Sequence, residues 1–250
     1  MPFRLTLEAR LPPRARLPES YGPAHRLACV LMEDGSADDH DSQEKNFAVL
    51  PPLMSNDGSF VEMAVHILSD DLRLVDRFRQ RVIDLPFGEL NLGPKIPLVD
   101  PVVEVSGLNW KQMTEVQPLT VIRIETLSPV LFRRNGLDIP LPDPYLTITQ
   151  LVRRWNNHVD AEELVIPDEW ATRLARSVSV MSLNIHSKVQ SVKGHKSHPV
   201  TKTGFVGEVS FTTSLRHPDE HRLFAMLFEF AEYCGIGALT TFGFGAIQII

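Results

Sequence analysis

Phe3, Leu5, Leu7 and Ala9 alternate with Arg4, Thr6, Glu8 and Arg10, the two-residue period of a strand with one buried face. Pro18 to Met32 contains a short helix, with Pro23 suited to its first turn and Leu27, Val30 and Leu31 on one side. Phe47 to Leu53 reads as a second strand. After the Asn56-Asp57-Gly58 turn, Val61, Met63, Val65 and Ile67 alternate with Glu62, Ala64 and His66 as a third. Ser69 is placed to cap a helix in which Leu72, Val75, Phe78 and Val82 recur at helical spacing, and Ile96 to Val105 is extended.

The second half repeats that order. Leu119 to Leu127 is a strand, Asp143-Pro144 opens a helix carrying Ile148, Leu151, Val152 and Trp155, and Val178 to Val189 and Phe205 to Phe211 are strands. Lys188 to Thr203 connects them. Pro218-Asp219-Glu220 starts a helix with Leu223, Phe224, Leu227, Phe228 and Ala231, Gly235 is positioned to end it, and Phe244 to Ile250 closes the chain. Two βαββαβ units in tandem predict an α+β protein of two ferredoxin-like domains, residues 1–113 and 114–250. A single α+β domain with a mixed sheet is the alternative.

With 43% hydrophobic and 22% charged side chains, the 250-residue chain has enough apolar material for one large core or two modest ones. Its apolar runs are far shorter than the roughly 20 residues of a membrane helix, and its N-terminus alternates where a secretory signal would be continuously apolar. Cys29 and Cys234 are too few for a disulfide framework. A cytoplasmic location is expected, without a membrane partner.

The net charge of −6 argues against a protein that coats nucleic acid indiscriminately, but the charge is unevenly spread. Glu33 to Glu44 contains six acids and no Lys or Arg. Trp170 to Gly207 has no acid, while Arg173, Arg176, Lys188, Lys193, Lys196 and Lys202 occur there with His186, His195 and His198. This basic strip is either a solvated hairpin or the track of an anionic partner.

The most specific stretch is Gly235-Ile236-Gly237-Ala238-Leu239-Thr240-Thr241-Phe242-Gly243-Phe244-Gly245. A dinucleotide fingerprint needs a strand before and a helix after, and a P-loop needs Lys-Ser/Thr after the last glycine; neither condition is met. Glycines do allow backbone N–H groups to approach an anion closely, or allow a helix and a strand to pack tightly. Gly235, Gly237, Thr240, Thr241, Gly243 and Gly245 are therefore candidate phosphate contacts. Arg133 and Arg134, after an apolar strand end, can grip phosphate through two N–H groups each.

This closing Gly-x-Gly-x-x-Thr-x-x-Gly-x-Gly resembles that of the CRISPR-associated repeat-RNA endoribonucleases of the repeat-associated mysterious protein (RAMP) superfamily. Ser128-Pro129-Val130-Leu131-Phe132-Arg133-Arg134 is similar to the family's Ser-Pro-x-x-Phe-Arg block. The helix from Leu141-Pro142-Asp143-Pro144 to Arg153-Arg154-Trp155-Asn156 and the segment Gly204 to Val209 agree with it too. The resemblance implies two ferredoxin-like domains, CRISPR repeat RNA as partner, association with effector-complex subunits, and no cofactor or metal. It further implies attack by the RNA's own 2′-hydroxyl, leaving 2′,3′-cyclic phosphate and 5′-hydroxyl ends.

Such a family places its catalytic histidine after the first helix and before a Lys-x-Phe, where this chain has His40 and Lys45-Asn46-Phe47. Asp39 and Asp41 would favour the His40 imidazolium, suiting a general acid. Lys45 becomes a phosphate partner and His25 a second proton carrier. Many relatives carry a basic residue where this chain has Leu239, and some a tyrosine where Val30 and Leu31 stand. Two alternatives are a RAMP-type subunit that binds repeat RNA without cutting it, and a two-histidine phosphoesterase built on His40-Asp41-Ser42 and His195-Lys196-Ser197. Metal hydrolysis through His195 and His198 lacks further ligands at a recognisable spacing.

Overall fold

The computed structural model describes residues 2–13, 16–17, 19–33, 45–98, 104–193 and 200–250, without the side chains of residues 87, 104–106 and 193. The chain divides into two units: Met1–Gly107 with Gln190–Thr201 and Thr241–Gly243, and Leu108–Val189 with Lys202–Thr240 and Phe244–Ile250.

In the first unit, strand β1 (Phe3–Arg10) buries Phe3, Leu5, Leu7 and Ala9 as its alternation requires. The chain continues through α1 (Gly22–Met32), β2 (Phe47–Val49), β3 (Leu53–Met54), β4 (Phe60–Ile67) and α2 (Leu72–Ile83). A small hairpin of β5 (Glu89–Asn91) and β6 (Lys95–Pro97) follows, then β7 (Glu104–Ser106). The main sheet has the order β2-β4-β1-β7, with β1 antiparallel to both neighbours and Leu5 opposite Val65.

Several expectations shift here for physical reasons. The strand expected over Phe47 to Leu53 is interrupted, because Pro51 and Pro52 supply no ladder N–H; Leu53–Met54 then pairs separately with β4. Val30 is 62% exposed, since Ala24, Leu27, Ala28 and Leu31 form the buried stripe of α1 and Val30 falls beyond it. The cap of α2 is Asp71, whose side chain accepts the Arg73 N–H, while Ser69 accepts from Asp71. Leu72 accordingly points outward, and Leu74 joins Val75, Phe78 and Val82 in the core. Of the extended segment over Ile96 to Val105, Ile96 and Pro97 belong to the small hairpin, Leu98 bridges Ala9 of β1, and Glu104 and Val105 pair with β1.

The second unit contains α3 (Trp110–Thr114), β8 (Val121–Thr126), a hairpin of β9 (Phe132–Arg134) and β10 (Leu137–Ile139), α4 (Pro144–His158) and α5 (Asp168–Ser177). The strands β11 (Val178–Lys193) and β12 (Val200–Thr213), whose ends from Gln190 and up to Thr201 fall in the first unit, the helix α6 (Pro218–Cys234) and β13 (Ile247–Ile249) complete it. Its sheet order is β11-β12-β8-β13. In each unit the four main strands thus lie second, third, first, fourth, so the fold is two tandem ferredoxin-like βαββαβ arrangements.

Asp143 caps α4 by accepting the Leu146 N–H, as the Asp-Pro pair predicts. Trp155 is fully buried against Trp110 and Phe230, with ring centroids 5.2 and 5.5 Å away. Helix α5 falls in the stretch read for its charge, with Leu174 and Ala175 inward and Arg173 and Arg176 outward. The connection expected over Lys188 to Thr203 is shorter than that: the β-branched Val189, Val192, Val200 and Thr203 extend both strands, placing Lys188 and Lys202 within them.

Candidate nucleic-acid interface

The glycine loop leaves the C-terminus of α6. Gly235 adopts φ +69°, which terminates the helix where a side chain would be strained. At Gly237 a Cβ would collide with the Leu131 carbonyl, so the missing side chain admits a neighbouring backbone. The Ile236 N–H donates to Gly245 O (2.9 Å), Ala238 N–H to Leu131 O (2.8 Å) and Gly245 N–H to Pro129 O (3.0 Å). These N–H groups are committed to packing, and Gly235, Gly237, Gly243 and Gly245 are buried. The turn Leu239 to Phe242 is half-exposed. Leu239 stands there at φ +65°.

Arg154 was missed in the sequence, where it reads as the polar neighbour of a core tryptophan. Its Nη1 donates to the carbonyls of Cys234 (3.1 Å) and Gly235 (2.8 Å), and its Nη2 to that of Gly237 (2.7 Å). A cation at the carbonyl end of a helix is electrostatically favoured. Burial, with the Arg154 charge added, lowers the His158 pKa to about 4, and burial pushes the Cys234 thiol up to about 11.

Within the first unit, the tip residues Thr241–Gly243 meet helix α1. His25 Nδ1 lies 2.9 Å from the Thr241 carbonyl oxygen, and its ring stacks on Phe242 with centroids 3.6 Å apart. A carbonyl only accepts, so Nδ1 donates and proton exchange falls to Nε2. Cys29 Sγ lies 3.7 Å from Nε2.

Lys45 Nζ is 2.9 Å from Glu33 Oε1, with each side chain 9% exposed. Arg81 on α2 donates to the carbonyls of Val30 and Glu33 at the end of α1. His40 lies outside the described residues, as do His195 and Lys196.

Of the basic candidates, Lys188 on β11 and Arg134 on β9 are exposed. Lys193 ends β11. Arg133 Nε and Lys202 Nζ converge on Asp138, at 3.0 and 2.6 Å. Burial opposes ionisation of Asp138, but hydrogen bonds from Lys202 and Arg133 outweigh it and hold its pKa below the usual carboxylate range. Among the described residues, no three His, Cys, Asp or Glu side chains are grouped to hold a metal ion, and no helix is long and apolar enough to cross a membrane.

Residues 124–247 match the family model "CRISPR-associated endoribonuclease Cas6". A curated Cas6 endoribonuclease of Mycobacterium tuberculosis (strain CDC 1551 / Oshkosh) is 31% identical over 129 residues, covering 51% of this chain. The match spans 38% of that relative's length. Among solved structures, a Cas6 (TTHA0078) product complex superposes with a TM-score of 0.80 at 23% identity, covering 100% of both chains. Thermus thermophilus Cas6 (TTHB231) gives 0.70 at 18%, covering 100% of this chain and 98% of the other. The segment with the Ser-Pro-x-x-Phe-Arg block, helix α4, the penultimate strand and the glycine loop therefore matches the Cas6 family model, in agreement with the CRISPR-associated family that its motifs resemble.

Proposed function

We propose that this protein is an endoribonuclease that cleaves CRISPR precursor RNA within its repeats, without a metal ion, by attack of the 2′-hydroxyl on the adjacent phosphorus. The Cas6 match over residues 124–247, which ends with the glycine loop, carries the reading. The 2′-oxygen loses its proton and forms a bond to phosphorus; the bond to the 5′-oxygen breaks, and that oxygen takes up a proton. The products are a 2′,3′-cyclic phosphate and a 5′-hydroxyl.

In this reading His40 is the acid for the 5′-oxygen, and His25 is a second proton carrier through Nε2. Each transfer contributes roughly 10²–10⁴ in rate. Thr240, Thr241 and the half-exposed part of the loop face the phosphate, while Gly235, Gly237, Gly243 and Gly245 give that turn its shape. Arg133, Arg134, Lys188, Lys193, Lys196 and Lys202 follow the RNA backbone, and Lys45 assists at the phosphate from the base of the His40 segment. The protein, with ferredoxin-like domains at residues 1–113 and 114–250, works in the cytoplasm, and the processed guide passes to effector-complex subunits.

One observation favours a second reading, a subunit that holds repeat RNA uncut: Leu239 occupies the loop position where many relatives are basic. Incubation of end-labelled repeat RNA with the protein in a chelator separates the two. Shortened RNA ending in a cyclic phosphate supports the nuclease; retained, intact RNA supports the binding subunit; cutting that needs added metal overturns the mechanism.

A further inference from the structure

We infer that Arg154 is a positioning residue of the glycine loop, setting the peptide planes of its first half before RNA arrives; this rests on the reading that the loop seats the scissile phosphate. The observation is a set of three peptides, each held at both ends. The Cys234–Gly235 peptide gives its carbonyl to Arg154 Nη1 (3.1 Å) and its N–H to Ala231 O (2.8 Å). The Gly235–Ile236 peptide gives its carbonyl to the same nitrogen (2.8 Å) and its N–H to Gly245 O (2.9 Å). The Gly237–Ala238 peptide gives its carbonyl to Nη2 (2.7 Å) and its N–H to Leu131 O (2.8 Å).

Glycines at 235 and 237 would otherwise leave this segment several alternative conformations, because positive and negative φ are nearly equal in cost there. A planar guanidinium with N–H groups in fixed directions removes that freedom; a lysine ammonium, with one nitrogen, cannot span the same three oxygens. Arg154 is itself rigidly placed. The next residue, Trp155, donates Nε1–H to Leu164 O (2.8 Å) inside the aromatic cluster. Asn156 then exchanges two 2.9 Å hydrogen bonds with the Ile166 backbone. Arg154 therefore acts on the reaction through the loop and not by touching RNA. Its contribution belongs to the rate of the chemical step, where misplacement by about 1 Å costs roughly 10²-fold.

The test uses the full chain as wild type, Arg154→Gln and Arg154→Lys, with repeat RNA for single-turnover cleavage and a 2′-deoxy repeat for binding. Melting temperature and amide exchange at Gly235, Ile236 and Ala238 are measured on the free proteins. Arg154→Gln is expected to cleave roughly 10²-fold more slowly with unchanged deoxy-RNA affinity, and to exchange those amides faster; Arg154→Lys is expected to fall between. Wild-type cleavage by Arg154→Gln overturns the inference, as does a loss of rate that only follows a loss of affinity and melting temperature in both variants. If wild type itself does not cleave, the nuclease reading fails, and amide exchange alone decides whether Arg154 sets the loop: faster exchange upholds it and unchanged exchange overturns it.

Discussion

His25 and Thr241 are 216 residues apart in the sequence, yet the imidazole Nδ1 of one lies 2.9 Å from the carbonyl oxygen of the other. This hydrogen bond and the Phe242 stack fix the ring, so that a proton carried by His25 is exchanged at Nε2. His25→Asn keeps a short polar side chain but removes the imidazole. Single-turnover rates are expected to fall roughly 10²–10⁴-fold in both His25→Asn and His25→Ala. A wild-type rate in His25→Asn would reduce His25 to a support for the loop tip.

Glu33 and Lys45, which flank the His40 segment in the sequence, form an ion pair. Removing one member of a nearly buried ion pair leaves its partner's charge uncompensated, so Lys45→Ala is expected to destabilise the protein by about 3–5 kcal/mol in denaturant unfolding. The double variant Glu33→Gln, Lys45→Met carries no orphaned charge and is expected to recover most of that loss. Its cleavage rate then isolates the proposed phosphate role: slow cleavage by a stable double variant supports Lys45 at the phosphate, and wild-type cleavage removes it.

Asp138 is paired with Arg133 and Lys202, so in the proposed reading it competes with RNA for both cations. Asp138→Asn should bind repeat RNA more tightly at low salt, and the plot of log affinity against log salt should steepen by about 1–2 as the two cations become available to phosphates. An unchanged slope would place both cations off the RNA path.

His158 makes stability depend on pH. Its folded pKa of about 4 lies below the ordinary histidine value near 6.5, so the unfolded chain binds the proton more readily between those limits. The stability is therefore fully present above about pH 6.5 and is lost as pH falls toward 4. His158→Gln is expected to flatten this part of the stability profile, by an amount on the order of 2 kcal/mol across the window. A profile as steep as wild type would assign the acid limb to other groups.

The strands and the ends of helices were legible wherever backbone chemistry is local. The alternation of Phe3 to Arg10, the Asp143-Pro144 start of α4 and the Gly235 stop of α6 all occur as read. Periodicity was less informative where polar residues filled an amphipathic helix: α5 was overlooked because only Leu174 and Ala175 are buried, and the absence of acids dominated the reading of that stretch. The family motif located the glycine loop, but four glycines look alike in sequence whether they admit an anion or a neighbouring strand. Only the distances to Leu131, Pro129 and Gly245 separate the two uses. Arg154 lies in the helix that resembles the family's, but its tie to the glycine loop left no sequence signal, since its three acceptors are main-chain oxygens some 80 residues away.

In the proposed reaction the RNA supplies its own nucleophile. The most direct measurement compares an all-ribose repeat RNA with one carrying a single 2′-deoxy nucleotide at the cut position, both in chelator, followed by analysis of the product ends and repeated with His40→Ala. The ribose substrate is expected to give 2′,3′-cyclic phosphate and 5′-hydroxyl ends, with no cut either at the deoxy position or by the variant. Cleavage of the deoxy substrate at that position, or products bearing a 5′-phosphate, would contradict the proposed reaction.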